Sequence, residues 1–82
     1  MIHDAIIELG YKHIRTSENI TTHMIYKKRN KEITVQQWDD YYNIYLTIQR
    51  KSADYSMNIH HIPYGQFINE IKQIKDFEKR MK

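Results

Sequence analysis

From Glu32 to Arg50 the chain alternates between apolar and polar residues, and the alternation mirrors itself about Asp39-Asp40. Ile33 and Val35 precede the aspartates at odd positions, and Tyr42, Ile44, Leu46 and Ile48 follow at even ones. Successive strand residues point to opposite faces, so a period of two reads as a pair of half-buried strands. With Asp39-Asp40 as a two-residue hairpin turn, Trp38 lies opposite Tyr41 and Gln37 opposite Tyr42. Gln36 then meets Asn43, Val35 meets Ile44, Thr34 meets Tyr45 and Ile33 meets Leu46. Like meets like in these pairs, and a slip of one residue would mix the two faces. The competing reading of Asp39 and Asp40, a carboxylate pair for acid–base work or a metal, is disfavoured. Neighbouring residues diverge in direction, and aspartate suits a turn because it bonds its own backbone.

The same parity extends to both sides. A turn at Arg29-Asn30 sets Met24 against Val35, Tyr26 against Ile33 and Lys27 against Glu32, an opposite-charge pair. A loop at Lys51–Asp54 sets Ile48 against Met57, Leu46 against Ile59 and Tyr45 against His60. A further strand is expected over Tyr11–Thr16. The resulting sheet has one apolar face: Met24, Tyr26, Ile33, Val35, Ile44, Leu46, Ile48, Met57 and Ile59.

Two helical stripes remain to cover it. Ile2, Ala5, Ile6 and Leu9 are spaced i, i+3, i+4, i+7, and Gly10 follows as a left-handed cap. After Pro63 and Gly65, the residues Phe67, Ile68, Ile71, Ile74, Phe77 and Met81 keep helical spacing, with Asp76/Arg80 and Glu78/Lys82 as i, i+4 pairs. The expected fold is α+β: a short N-terminal helix, an antiparallel meander of four or five strands and a long C-terminal helix. Both helices lie on one sheet face, and residues 1–82 form one domain. At this length the core is near the lower limit for independent stability. With no cysteine, self-association is the remaining aid, so a homodimer is an expected state.

The opposite face is expected to be open. Its rows are Ile25-Thr34-Tyr45-His60 and His23-Gln36-Asn43, with Trp38 and Tyr41 at the hairpin end. Lys, Glu and Thr usually cover such a face. Amides, aromatics and imidazoles are instead the types enriched in binding surfaces. They are also good strand formers, which is the bland explanation. The clustering favours a protein-binding surface of Trp38, Tyr41, Tyr45, His60, His23, Gln36 and Asn43.

Other chemistry is thin. Five histidines invite a metal site, but His60 and His61 are expected on opposite faces, and no His-x-His or His-x-x-x-His pair occurs. No metal or cofactor is expected. Ser17, Ser52 and Ser56 lack a nucleophile-elbow context. The basic cluster Lys27, Lys28, Arg29 and Lys31 could grip phosphates, with the sheet aromatics stacking on bases. The formal charge of +3 is mild for a dedicated nucleic-acid binder.

The first third of the chain resembles the helix–strand–strand–strand start of small ribonuclease toxins of the HicA type. Thr21-Thr22-His23 stands where that family has Gly-Ser-His, so only the histidine is shared. The resemblance implies a double-stranded-RNA-binding-like fold with His23 as a general base. Strands follow here, however, where the family enters its last helix.

No secretory leader or membrane span is read from the sequence, so the expected location is the cytoplasm. Asn19-Ile20-Thr21 matches the glycosylation pattern without consequence there. In size, lack of cysteine and lack of motifs, the chain resembles accessory proteins of phages and mobile elements, including inhibitors of host defence. The expectation is a non-enzymatic inhibitor, adaptor or regulatory protein. The second reading is a nucleic-acid binder and the third a ribonuclease toxin.

Overall fold

The computed structural model describes residues 2–65 and 67–81. Helix α1 (Ile2–Glu8) is followed by strands β1 (Lys12–Glu18), β2 (Thr22–Lys28), β3 (Lys31–Gln37), β4 (Tyr41–Gln49) and β5 (Asp54–Pro63), then by helix α2 (Ile68–Arg80). The five strands form one antiparallel sheet in the order β1-β2-β3-β4-β5. This is the expected α+β meander. The buried residues of α1 (Ile2, Ile6) and α2 (Ile74) join Tyr26, Ile33, Val35, Ile44, Leu46 and Ile48 in one core, so both helices cover the same sheet face.

The central register is the one the alternation dictates. Ile33 pairs with Leu46, Val35 with Ile44 and Gln37 with Tyr42, and the Trp38 N–H donates to the Tyr41 carbonyl across Asp39-Asp40. On the other side Met24 pairs with Val35 and Tyr26 with Ile33, around the turn at Arg29-Asn30. Both aspartates are exposed at a turn, and Asp39 borders a polar cleft with Trp38 and Tyr64.

The β4–β5 register departs from expectation. Ile48 pairs with Tyr55 rather than Met57, Leu46 with Met57 rather than Ile59, and Tyr45 with Asn58 rather than His60. The cause is where β4 stops. The Asn30 side-chain amide donates to the Gln49 carbonyl (2.6 Å), and the Gln49 N–H donates to the Asn30 carbonyl (2.8 Å). Gln49 is thereby the last paired residue, and the loop spans residues 50–53 instead of 51–54. A shift of two keeps every side chain on its expected face, so the core is indifferent to it.

One hub ties the helices to the sheet. Lys28 Nζ donates to the Leu9 carbonyl at the end of α1 (2.8 Å), pairs with Glu78 Oε2 of α2 (2.9 Å) and lies 4.6 Å from the centroid of the Tyr11 ring. The Tyr11 hydroxyl donates to the same Glu78 oxygen (3.0 Å). Gly10 has φ +97°, and a Cβ there would come within 3.3 Å of the Lys28 side chain, so glycine serves both the cap and the passage of Lys28. Glu78 was expected to pair with Lys82, which lies outside the described residues.

Lys28→Ala removes an ion pair, a carbonyl contact and a cation–π contact together, and leaves Glu78 with the Tyr11 hydroxyl alone. A loss of about 1–3 kcal/mol is expected, read as a lowered midpoint in urea, against less than about 0.5 kcal/mol for exposed Lys27→Ala.

Three tyrosines give a second test. Burial, then the Glu78 charge and hydrogen bond, push Tyr11 far up. Burial, with Tyr42 and Asp4 charges behind it, pushes Tyr26 up to about 12. Burial and Tyr64 raise Tyr42. A raised folded pKa favours the neutral phenol, so this stability is intact below the ordinary value near 10 and is lost as pH rises beyond it. Tyr11, Tyr26 and Tyr42 are expected to gain tyrosinate absorbance only together with loss of circular dichroism.

A candidate binding surface on the open sheet face

Parity places Trp38 of the β3–β4 turn, Tyr41, Asn43 and Tyr45 of β4, and Thr34 and Gln36 of β3 away from the helices. The Gln36 side chain organises the middle of this face. Its Oε1 accepts from Asn43 Nδ2 (3.0 Å) and from the Tyr45 hydroxyl (3.2 Å). Asn43 is 8% exposed, the one buried polar side chain among the described residues. A buried carboxamide is costly unless bonded. Its Oδ1 is satisfied by the backbone N–H of His61 (2.9 Å).

That last bond marks a β-bulge. Tyr42 pairs with Ile62 and Ile44 with Ile59, so His60 and His61 together stand opposite Asn43. His61 has φ 57°, a left-handed conformation that histidine adopts more readily than most residues. The extra residue has two effects. It turns Ile62 inward against Tyr42, where it is buried. It also puts both imidazoles among the open-face tyrosines, which corrects the expectation that His60 and His61 point to opposite faces.

The result is a run of rings. Trp38 stacks beside Tyr41 (centroids 6.0 Å, 16° between planes), and Tyr41 stacks on His61 (4.5 Å, 23°). Tyr45 meets His60 edge-on (5.7 Å, 62°). The Tyr64 hydroxyl donates to the Trp38 carbonyl and braces the hairpin end. Beside it opens a polar cleft of about 410 Å³ lined in part by Asn19, Thr22, Gln37, Trp38 and Tyr64. Trp38 Nε1 is buried without a hydrogen-bond partner among the described residues.

The expected surface residues therefore divide. Half-exposed Trp38 and Tyr41 form one ring stack, half-exposed Tyr45 with exposed His60 forms a second ring pair, and Gln36 and Asn43 are the hydrogen-bonded floor. His23 sits apart on β2, half-buried between Ser17 and Gln36. Sequence reasoning missed His61. The available signal was the spacing of Ile59 and Ile62: two apolar residues three apart reach one face of a strand only through an extra residue between them.

Of the basic hairpin, Lys28 is committed to Glu78 and Leu9, while Lys27 and Arg29 are exposed at the tip. Lys31 and Lys28 border a shallow cleft with Lys75, Glu78 and Lys79 of α2. A separate imidazole pair, His3 and His13, packs on Tyr26, whose hydroxyl is 2.7 Å from His3 Nδ1. Among the described residues no three His, Asp or Glu side chains converge as a metal site, and no helix is long and apolar enough to cross a membrane.

Comparison with protein-family models, with curated proteins and with solved structures gave no match for this chain.

Asn43→Ala removes the acceptor that fixes the bulge and is expected to cost about 1–3 kcal/mol. Asn43→Asp keeps that acceptor and should retain the low hydrogen-exchange rate of the His61 amide, which the alanine variant loses.

Proposed function

We propose that this protein is a small non-enzymatic protein-binding module, an inhibitor, adaptor or regulatory subunit, that docks a partner protein on its open sheet face. The observation that carries this reading is the β-bulge. It brings His61 onto the Trp38–Tyr41 stack and His60 against Tyr45, two neighbouring ring groups on one face. Aromatic side chains of this kind dominate binding energy at interfaces when they sit centrally and partly desolvated. Here Gln36 and Asn43 hold the surrounding polar groups in place before any partner arrives. Side chains already fixed lose little entropy on association, so their contacts translate more fully into affinity.

The test is affinity capture from the native host with nuclease treatment. Trp38→Ala and Tyr45→Ala are each expected to lose the co-purifying protein, while thermal midpoints move by no more than about 4–8 °C, as for about 1 kcal/mol in a domain of this size. A partner retained by both variants would refute the docking face.

A second reading has its own supporting observation. Lys31 of the hairpin lies beside Lys75 and Lys79 of α2, so the basic cluster is larger than the sequence suggested. If these lysines bind nucleic acid, affinity for a generic oligonucleotide should fall steeply with salt, with a log–log slope near the number of phosphates contacted. Lys75→Ala and Lys79→Ala would lower that slope. Absence of binding at low salt would remove this reading and leave the first untouched.

A further inference from the structure

The two edges of the sheet are guarded very differently. An edge strand presents unpaired N–H and C=O groups, and proteins usually block them with Lys, Pro or a bulge. β1 carries Lys12, Arg15 and a bulge between His13 and Arg15. From Asp54 to His60, β5 has no Lys, Arg or Pro, and its only irregularity comes after Ile59. As far as Ile59 this edge runs without a bulge, and Tyr55 is 39% exposed.

Its sequence is also self-complementary. Tyr55, Met57 and Ile59 lie on the helix side of the sheet, opposite Ile48, Leu46 and Ile44. Asp54, Ser56, Asn58 and His60 alternate with them on the other side. We infer that β5 pairs antiparallel with β5 of a second copy of this chain, with Met57 facing its own counterpart on the two-fold axis. Tyr55 then faces the second copy's Ile59, Ser56 its Asn58, and Asp54 its His60. Apolar meets apolar, polar meets polar, and a carboxylate faces an imidazole once on each side of the axis.

Neighbouring registers are worse. Centring on Ser56 leaves Ile59 and His60 unpaired, and centring on Asn58 forces the left-handed His61 and Ile62, beyond the change of phase, into the ladder. Centring between residues mixes the faces. In the chosen register, seven residues of each copy pair and exchange roughly six to eight backbone hydrogen bonds. The two-fold axis is perpendicular to the sheet. Both pairs of helices therefore lie on one side, and the two ring runs lie side by side on the other. The pairing does not depend on what the open face binds.

Sedimentation equilibrium of the full chain should show a reversible monomer–dimer equilibrium. Asp54→Lys and His60→Glu should each weaken it by about tenfold, since each removes two symmetric pairs. The double variant recreates an opposite-charge pair and should recover most of the wild-type affinity. Hydrogen exchange of the unmodified protein supplies a readout independent of variant folding. Protection of the amides of residues 54–60 should rise with protein concentration, and that of residues 12–18 should not. A chain monomeric at all concentrations would overturn the inference, leaving the edge to a strand of another protein. So would a dimer whose affinity ignores both single changes, or one that protects β1 instead.

Discussion

The carboxamide of Asn43 governs the last third of this protein. Buried at 8% exposure, it must spend both ends of its amide, one on Gln36 and the other on the backbone of His61. The second bond holds an extra residue in β5 and reverses the phase of everything beyond it. Without that reversal Ile62 would lie in water and His61 under the helices. With it, the core gains a buried isoleucine against Tyr42, and the open face gains an imidazole against Tyr41. The left-handed backbone at His61 is a conformational cost, accepted where hydrogen bonding and packing both depend on it.

A second constraint sets the helices. Their apolar stripes fix which faces turn inward but not how far along the sheet each one sits. Lys28 resolves this by meeting the Leu9 carbonyl just beyond α1, the carboxylate of Glu78 on α2 and the ring of Tyr11 at one end of β2. Groups from β2, α2 and the connection between α1 and β1 share one partly buried polar cluster, and each satisfies another. The same commitment withdraws Lys28 from the basic hairpin, so the positive surface shifts toward Lys31, Lys75 and Lys79.

The two faces of the sheet thus serve different physical ends. One is closed by the helices and filled mainly with isoleucine. The other has its central carboxamides, Gln36 and Asn43, internally bonded and rings left accessible beside them, which is the condition under which a flat surface can bind without large reorganisation. The unguarded edge at β5 extends this pattern sideways, because pairing across it would enlarge the open face without covering it.

Much of this was legible in the residues. The alternation from Ile33 to Ile48 determined the β3–β4 register, and the spacing of Ile2–Leu9 and Phe67–Met81 determined both helices. Parity also assigned the residues of β3 and β4 to the helix side or the opposite side, Gln36, Asn43 and Tyr45 to the latter, but it did not foresee that Asn43 is buried there beneath its neighbours. These features are local and periodic, so a side chain's neighbours in sequence fix its direction. The β4–β5 offset, the bulge, the placement of His61 and the capture of Lys28 by Glu78 were decided only by the tertiary structure. Each rests on a bond between groups distant in sequence, such as Asn30 to Gln49, Asn43 to His61 and Lys28 to Glu78. A shift of two preserves every face and a bulge reverses one, so periodicity cannot detect the first and detects the second only through the spacing of Ile59 and Ile62.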